Sequence, residues 1–444
     1  MNTAVFAFIT LCILLTMGMV VRVKVPILQK LYLPSSVIGG AIGLAVFTLL
    51  GDKVNPELTG ALRKVPGFMI NVVFATLFLG AAAPKFREVV RIAFPQLCLG
   101  QIMSWGQYVV GLGLAGFVLS RFCDVPPAFG NLIEIGFEGG HGTVGGMSKA
   151  FADFGWSDGI ALGFTVATVG MIAGVIIGMW LINWAHRKGV VSQVLSFEER
   201  AENERKGLHL FQARPSAGRQ TVMCDTIDSL AWHVAIVGIS VALGAGLLAL
   251  LQLTGWKVFR GFPLFPLCMI GGILLQWAVG TCRKDLYVDR VQMERISGAS
   301  LDFLVVSAVA TIRLDVVLAH WIPLVALVVV GIAWSLFTVL WFGPRIFKEA
   351  WFERAIADFG QATGVTATGL MLLRTVDPEN RTIAAASFGY KQLLHEPFMG
   401  GGLWTALALT LVYSWGWQPV FWLSVGMLAL WIVLARCLVW NKKR

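Results

Sequence analysis

The sequence predicts an all-α polytopic membrane protein with two inverted repeats of five transmembrane helices, each carrying a re-entrant Gly-rich segment, plus one extra C-terminal helix. Three observations predict it: long apolar runs, landmarks that recur in the same order in two halves, and a marked Lys/Arg asymmetry between alternate loops.

The apolar runs come first. Of 444 residues, 57% are hydrophobic and only 14% charged, and the mean hydropathy is +0.75. Soluble domains carry about 25% charged residues, so most of this surface belongs in lipid. About 20 apolar residues cross a hydrocarbon core of roughly 30 Å as a helix. Ala4 to Val21, Gly159 to Trp184, Leu230 to Leu253, Trp321 to Phe342 and Val420 to Trp440 all meet that requirement. The first run has no basic residue before it, and its first charge, Arg22, follows it. It therefore reads as a retained span rather than a signal peptide. The net charge of +10 fits basic cytoplasmic loops and implies no nucleic-acid partner. The seven cysteines form no CxxC and mostly lie in apolar runs, so they carry no redox signature.

The repeat follows from three landmarks. Pro34-Ser-Ser-Val-Ile-Gly-Gly returns as Pro266-Leu-Cys-Met-Ile-Gly-Gly after 232 residues, and Phe94-Pro95 returns as Ile322-Pro323 after 228. Gly142-Thr143 returns as Gly364-Val365 after 222, each in a Gly/Thr-rich segment. Same order and near-constant offset mark an internal duplication. The expected boundaries are an N-terminal repeat at 1–184, a cytoplasmic linker at 185–228, a C-terminal inverted repeat at 229–413, and a further helix with a basic tail at 414–444. The linker's Glu198 to Lys206 segment reads as a short solvated helix or loop without chemistry.

Lys/Arg counting sets the orientation. With the N-terminus outside and each Gly/Thr segment dipping into the membrane, 26 of the 35 Lys/Arg residues fall on cytoplasmic stretches and 7 on external ones. Lys149 and Lys391 lie within membrane segments. That ratio places the linker and the C-terminus in the cytoplasm. An odd number of spans per repeat then requires the second half to be inserted upside down, a plan used by many secondary transporters.

Chemistry concentrates in the two Gly/Thr segments. Gly136 to Lys149 holds six glycines in fourteen residues, and each glycine weakens a helix by roughly 1 kcal/mol relative to Ala. The helix should break there, and unpaired backbone at membrane depth is tolerated only against protein or water. Freed carbonyls ligate cations, and half-helix N-termini receive carboxylates. The counterpart Phe359 to Met371 offers Gln361 and the hydroxyls of Thr363, Thr366 and Thr368, a donor set for a hard cation. Close helix packing is the ordinary explanation of intramembrane glycine, but two dense segments at matching positions favour a site. The candidate solute-binding residues are Glu138, Gly139, Gly140, His141, Gly142, Thr143, Gln361, Thr363 and Gly364. The candidate sodium ligands are Thr143, Thr363, Thr366 and Thr368. Intramembrane ionisable residues are costly and usually functional, which also singles out Lys149, Lys391, His395 and Glu396. Lys391 and Glu396 are five apart and poorly placed to pair on one helix. Lys149 can snorkel to an interface, and His395-Glu396-Pro397 can simply mark a kink.

Gly139-Gly-His-Gly-Thr143, followed by Ser148-Lys149 and an aromatic, resembles the signature of the bacterial sodium:glutamate symporter family. Thr366-Ala-Thr-Gly-Leu-Met371 is similar to its partner motif, and Pro34 to Gly40 to its second-span opening. The resemblance spans about residues 1–413. It implies sodium-driven glutamate uptake across the bacterial inner membrane, with sodium as coupling ion and no other cofactor. It also implies a homodimer with a scaffold domain, and a mobile domain that carries both re-entrant segments as an elevator. The chain departs from the family pattern at Glu138, at Gly364-Val-Thr-Ala367, at Lys391 and Glu396, and in its terminal span.

Other classes fit less well. There is no HExxH, no GxSxG turn and no cluster of metal ligands, so an intramembrane enzyme is not indicated. Inverted halves with broken segments suit alternating access better than an open channel. Within carriers the alternative is a proton- or sodium-coupled transporter of another carboxylate or amino acid, with Glu138, His141 or Glu396 as a proton site.

Overall fold

The computed structural model describes residues 3–81, 86–191, 201–210, 214–256, 259, 262–281, 287–378 and 381–440. The chain is all-α. Among the described residues six helices are long and apolar enough to cross a membrane. They are α1 (Thr3–Lys24), α4 (Ile92–Phe122), α8 (Asp158–Arg187), α9 (Ser229–Leu253), α12 (Trp321–Ile346) and α16 (Trp417–Val439). Between them lie α2 (Ser35–Leu50), α3 (Pro56–Thr76), α10 (Phe265–Thr281) and α11 (Arg290–Ala310). Short helices α5 (Leu132–Phe137), α6 (Gly140–Gly146) and α7 (Ser148–Asp153) build the first Gly-rich segment. The second segment is α13 (Trp351–Val376), and the last broken element is α14 (Ala384–His395) with α15 (Leu403–Trp415). In the linker Glu202–Lys206 is a one-turn helix, largely solvent-facing, with a Glu202–Lys206 ion pair. Glu198 to Arg200 and the basic tail 442–444 lie outside the described residues.

The first of the recurring sequence landmarks occupies matching positions in α2 and α10. Pro34 caps α2, and Pro266 sits in the first turn of α10. The paired glycines that follow perform matching packing tasks. A Cβ at Gly39 would lie 2.3 Å from the Leu14 carbonyl of α1, and one at Gly271 would lie 2.2 Å from the Ser240 carbonyl of α9. The second glycine of each pair contacts the opposite half. A Cβ at Gly40 would meet Val309 of α11 at 2.6 Å, and one at Gly272 would meet the Ala75 carbonyl of α3 at 2.5 Å. Small residues at these crossings let the helices approach to backbone contact.

Packing sorts the helices into two bodies. In one, α1 lies on α2, α2 and α3 lie on α11, and α10 bridges α9 and α3. In the other, α4 is the central helix and contacts α12, α14 and α16, while α8 runs along α13. Gly170, Gly174 and Gly178 on α8 admit that contact: Cβ atoms there would fall 2.5–2.6 Å from Thr363 O, Thr363 Oγ1 and Leu372 Cδ1. An apolar cluster around Phe352 and Phe388 lies within this second body, and a larger one around Tyr108 and Phe137 also takes in Ile70, Phe265 and Leu304 of the first.

Each Gly-rich segment folds back on itself. The rings of Phe129 and Trp156, at the two ends of the first segment, are 6.4 Å apart. In α13 the break is sharper. Cβ atoms at Gly360 and Gly369 would lie 2.6 Å from the Gly369 Cα and 2.4 Å from the Ala357 carbonyl, so the two arms touch.

Native cysteines offer a test of the orientation expected from the Lys/Arg asymmetry. Cys224 is exposed in the linker and Cys123 is half-exposed after α4. In single-cysteine variants, an impermeant maleimide should label Cys123 in intact cells, and Cys224 only after permeabilisation. Labelling of Cys224 in intact cells would reverse the orientation.

Candidate functional site

Three helix breaks converge. The first lies at Glu138-Gly139, between α5 and α6, and Gly140 takes φ +66°. The second lies inside α13, at Gly364 (φ −156°, ψ 38°) and Val365 (φ 63°, ψ 170°). A β-branched residue in that region costs about 1–3 kcal/mol and persists only when its surroundings enforce it. The enforcing surface is the other break, because a Cβ at Gly140 would lie 2.4 Å from Val365 Cγ1. The third break, Glu396 to Gly402, separates α14 from α15, with Gly400 and Gly401 at φ +64° and +105°.

Carboxylates tie the breaks together. Glu134, one turn before Glu138, is fully buried. It accepts from Tyr108 Oη at 2.6 Å, from the Gly400 N–H at 2.9 Å and from Thr405 Oγ1 at 2.7 Å. Glu138 sits 2.5 Å from both His395 Nε2 and Ser104 Oγ. The tautomer of His395 follows from its other side. The Trp105 indole N–H donates to Gln101 Oε1 at 2.9 Å, so Gln101 Nε2 is the group 3.1 Å from His395 Nδ1 and donates to it. Nδ1 therefore accepts, and the proton on Nε2 faces Glu138. Glu396 accepts from Thr366 Oγ1 at 2.8 Å and Gln392 Nε2 at 2.9 Å, joining the second break to the third.

A cavity of about 720 Å³ opens where these breaks face α2, α3 and α11 of the other body. Its charged lining is Glu138, Glu396, Glu294 and Asp302 with one guanidinium, Arg290. Arg290 is already engaged: Nε donates to Glu294 at 2.9 Å, and Nη1 to the carbonyls of Thr76, Leu77 and Leu79, where α3 ends.

Of the residues expected from sequence, Glu138, Gly139, His141, Gly142, Thr366 and Thr368 line the cavity. His141 Nε2 donates to Thr168 Oγ1 at 2.9 Å, since that hydroxyl's own proton goes to Phe164 O at 2.8 Å. Gly140 forms the contact with Val365, and Gly364 packs on Met171. Three of the four threonines bond back along their helices: Thr143 to Gly139 O at 2.8 Å, Thr363 to Phe359 O at 2.7 Å, and Thr368 to Gly364 O. That is an ordinary satisfied state for threonine. Thr366 alone among them bonds to side chains, accepting from Gln392 Nε2 at 2.6 Å while donating to Glu396. Gln361 accepts from Lys391, and Lys149 is exposed.

Sequence reasoning missed Glu134, Asp302 and the third break. A signal for that break stood in the chain: Pro397 followed by Gly400-Gly-Gly402. Asp302 was also legible as a carboxylate inside an otherwise apolar helical run.

The coupling between breaks is testable by a double-substitution cycle. Gly140→Ala should lower the melting temperature and abolish transport, because it meets Val365 and forces a side chain into positive φ. Adding Val365→Gly should restore part of the stability, leaving about 1–2 kcal/mol of backbone cost. Additive losses in thermal unfolding would disprove the contact.

Residues 2–349 match the profile of the family described as Sodium/glutamate symporter. The chain is 25% identical over 315 residues to the sodium/glutamate symporters of Escherichia coli K12 and Shigella flexneri, covering 69% of this chain and 72% of each of theirs. The profile ends before the second and third breaks.

Proposed function

The chain belongs to the sodium/glutamate symporter family and is a multi-pass secondary transporter rather than an enzyme, and from that premise we propose that it couples sodium entry to uptake of glutamate or a related acidic solute. One observation carries the reading. Arg290 and Glu294 of the cavity pair with each other, which leaves Glu138, Glu396 and Asp302 with no guanidinium or ammonium in the lining to offset them. An anion entering such a lining meets like charge at low dielectric, which is prohibitive without compensation. A co-bound cation removes the repulsion, so solute binding requires the ion. That requirement is coupling in its simplest electrostatic form.

Sodium suits the oxygens available, those of Glu396, Thr366 and Asp302, with backbone carbonyls released at the breaks. The returning arm of α13, from Thr366 to Val376, turns its N-terminus toward the cavity, and a solute carboxylate gains there from the helix dipole. The two bodies meet at this cavity, with all three breaks on one of them. That arrangement supports an elevator in which the α4-centred body carries the solute past the other. The matching Gly39-Gly40 and Gly271-Gly272 contacts support the inverted-repeat plan behind it. α1 and α9 leave most of their apolar surface uncovered, which suits lipid and a homodimer built on that body, in the inner membrane.

A second reading keeps the site and changes the ion. Glu138 lines the cavity and holds a proton-bearing His395 nitrogen at 2.5 Å, so a proton could serve as the cation for another carboxylate or amino acid. Uptake at fixed pH with sodium replaced by N-methylglucamine separates the two.

Thr366→Ala and Glu396→Gln test the sodium assignment in proteoliposomes. Each should raise half-saturating sodium about tenfold, or about 1.4 kcal/mol. Half-saturating glutamate at saturating sodium should stay within about twofold. An unaltered sodium titration at normal protein level would move the ion elsewhere.

A further inference from the structure

Beside the cavity, and not lining it, a buried polar stripe runs between α4, α13 and α14. The first arm of α13 places Arg354, Asp358 and Gln361 on one helix face. Gln96 of α4 links the first two: Arg354 Nε donates to Gln96 Oε1 at 2.9 Å, and Gln96 Nε2 donates to Asp358 Oδ2 at 2.7 Å. Lys391 of α14 donates to Gln361 Oε1, and its Nζ stands 3.5 Å from Asp358 Oδ1. Among the described residues no other group reaches that carboxylate oxygen, and both side chains of the ion pair are 1% exposed.

The ammonium has a prepared space. A Cβ at Gly100 of α4 would lie 2.4 Å from Lys391 Cε and 2.9 Å from Nζ. Glycine weakens a helix interior, and here its absent side chain is the room that the lysine occupies. Gln361 stands three residues before the α13 break, so the positive charge lies immediately behind the part of the hairpin that lines the cavity. Oxygens from a carboxylate and an amide around a compact, buried single charge are the surroundings an alkali cation would also require.

We propose that Lys391 is a tethered cation: its ammonium fills a monovalent-cation site formed by Asp358, Gln361 and the space at Gly100. This position of the carrier thus carries its own cation and takes no ion from solution. The site itself stands independently of the coupling ion at the cavity. Only its consequence for stoichiometry rests on the sodium-coupled reading: removing the ammonium should create a second place for an ion to bind.

Thermal unfolding of the purified full-length protein in chloride salts at equal ionic strength tests this, with ethylammonium and potassium as probes and N-methylglucamine as the inert reference. Lys391→Ala removes the amine and leaves room for a small cation. Its melting temperature should fall in N-methylglucamine and recover saturably in ethylammonium or potassium, whereas the parent protein should respond to neither. Asp358→Asn combined with Lys391→Ala should abolish the response. Lys391→Gln, which keeps a buried hydrogen-bonding group, should respond as Lys391→Ala does and serves if that variant is too unstable. In proteoliposomes the Lys391→Ala carrier should move one more sodium ion per solute. Absence of a cation response in both single variants overturns the proposal, as does an equal response in the double variant. Failure of both to fold even when purified in ethylammonium overturns it as well. If the sodium-coupled reading alone is wrong, the parent protein shows no sodium requirement while the ethylammonium recovery of Lys391→Ala persists.

Discussion

Backbone N–H and C=O groups released by a broken helix cannot face hydrocarbon, where an unpaired group costs several kcal/mol. This constraint organises the molecule. The chain interrupts its helices at Glu138-Gly139, at Gly364-Val365 and at Glu396 to Gly402, pairs several of the freed backbone groups within their own turns, and braces the interruptions against one another. Val365 rests on Gly140, Glu134 receives the Gly400 N–H, and Thr366 reaches Glu396. Each break is thereby fixed by the other two, which explains how a valine is held at positive φ. Glycines on α8 serve the same end by bringing the helix backbone against Thr363.

In the proposed function the same interruptions make the solute site. Continuous helices would bury their carbonyls in their own ladders and offer a solute only side chains. Broken ones expose backbone and a helix terminus at the depth where the two bodies meet. On that reading the carboxylates set the sign of what must accompany the solute. Glu138 receives a histidine N–H and Glu134 three donors, so these two are tied to structure. Arg290 pairs with Glu294 and is committed to the end of α3, so Glu396 and Asp302 keep the lining acidic. The proposed cation requirement rests on this imbalance. Deeper in the same body, Lys391 and Asp358 balance each other without solvent.

Much of this was legible in the sequence, because hydropathy and glycine density act locally. The spans follow from apolar runs, and the first two breaks from Gly139-Gly140 and Gly364, where helix propensity fails over a few residues. Partners were not legible, because they depend on which faces the bundle brings together. Thr143, Thr363 and Thr368 read as ion ligands from composition alone, yet each hydroxyl bonds back to its own helix. Lys391 could be excluded as a partner of Glu396 by spacing, but not assigned to Asp358, 33 residues away on another element. The third break escaped notice because Pro397 accounted for a kink by itself. Only the Glu134–Gly400 hydrogen bond shows what its glycines are for.

The central claim is that solute cannot occupy the acidic cavity unless a cation arrives with it. Calorimetric titration of glutamate into the purified protein measures this without transport, in sodium chloride and in N-methylglucamine chloride at the same pH and ionic strength. The account predicts saturable heat in sodium and none in N-methylglucamine. Equal affinity in both salts would show that the carboxylate lining does not govern entry, and would contradict it.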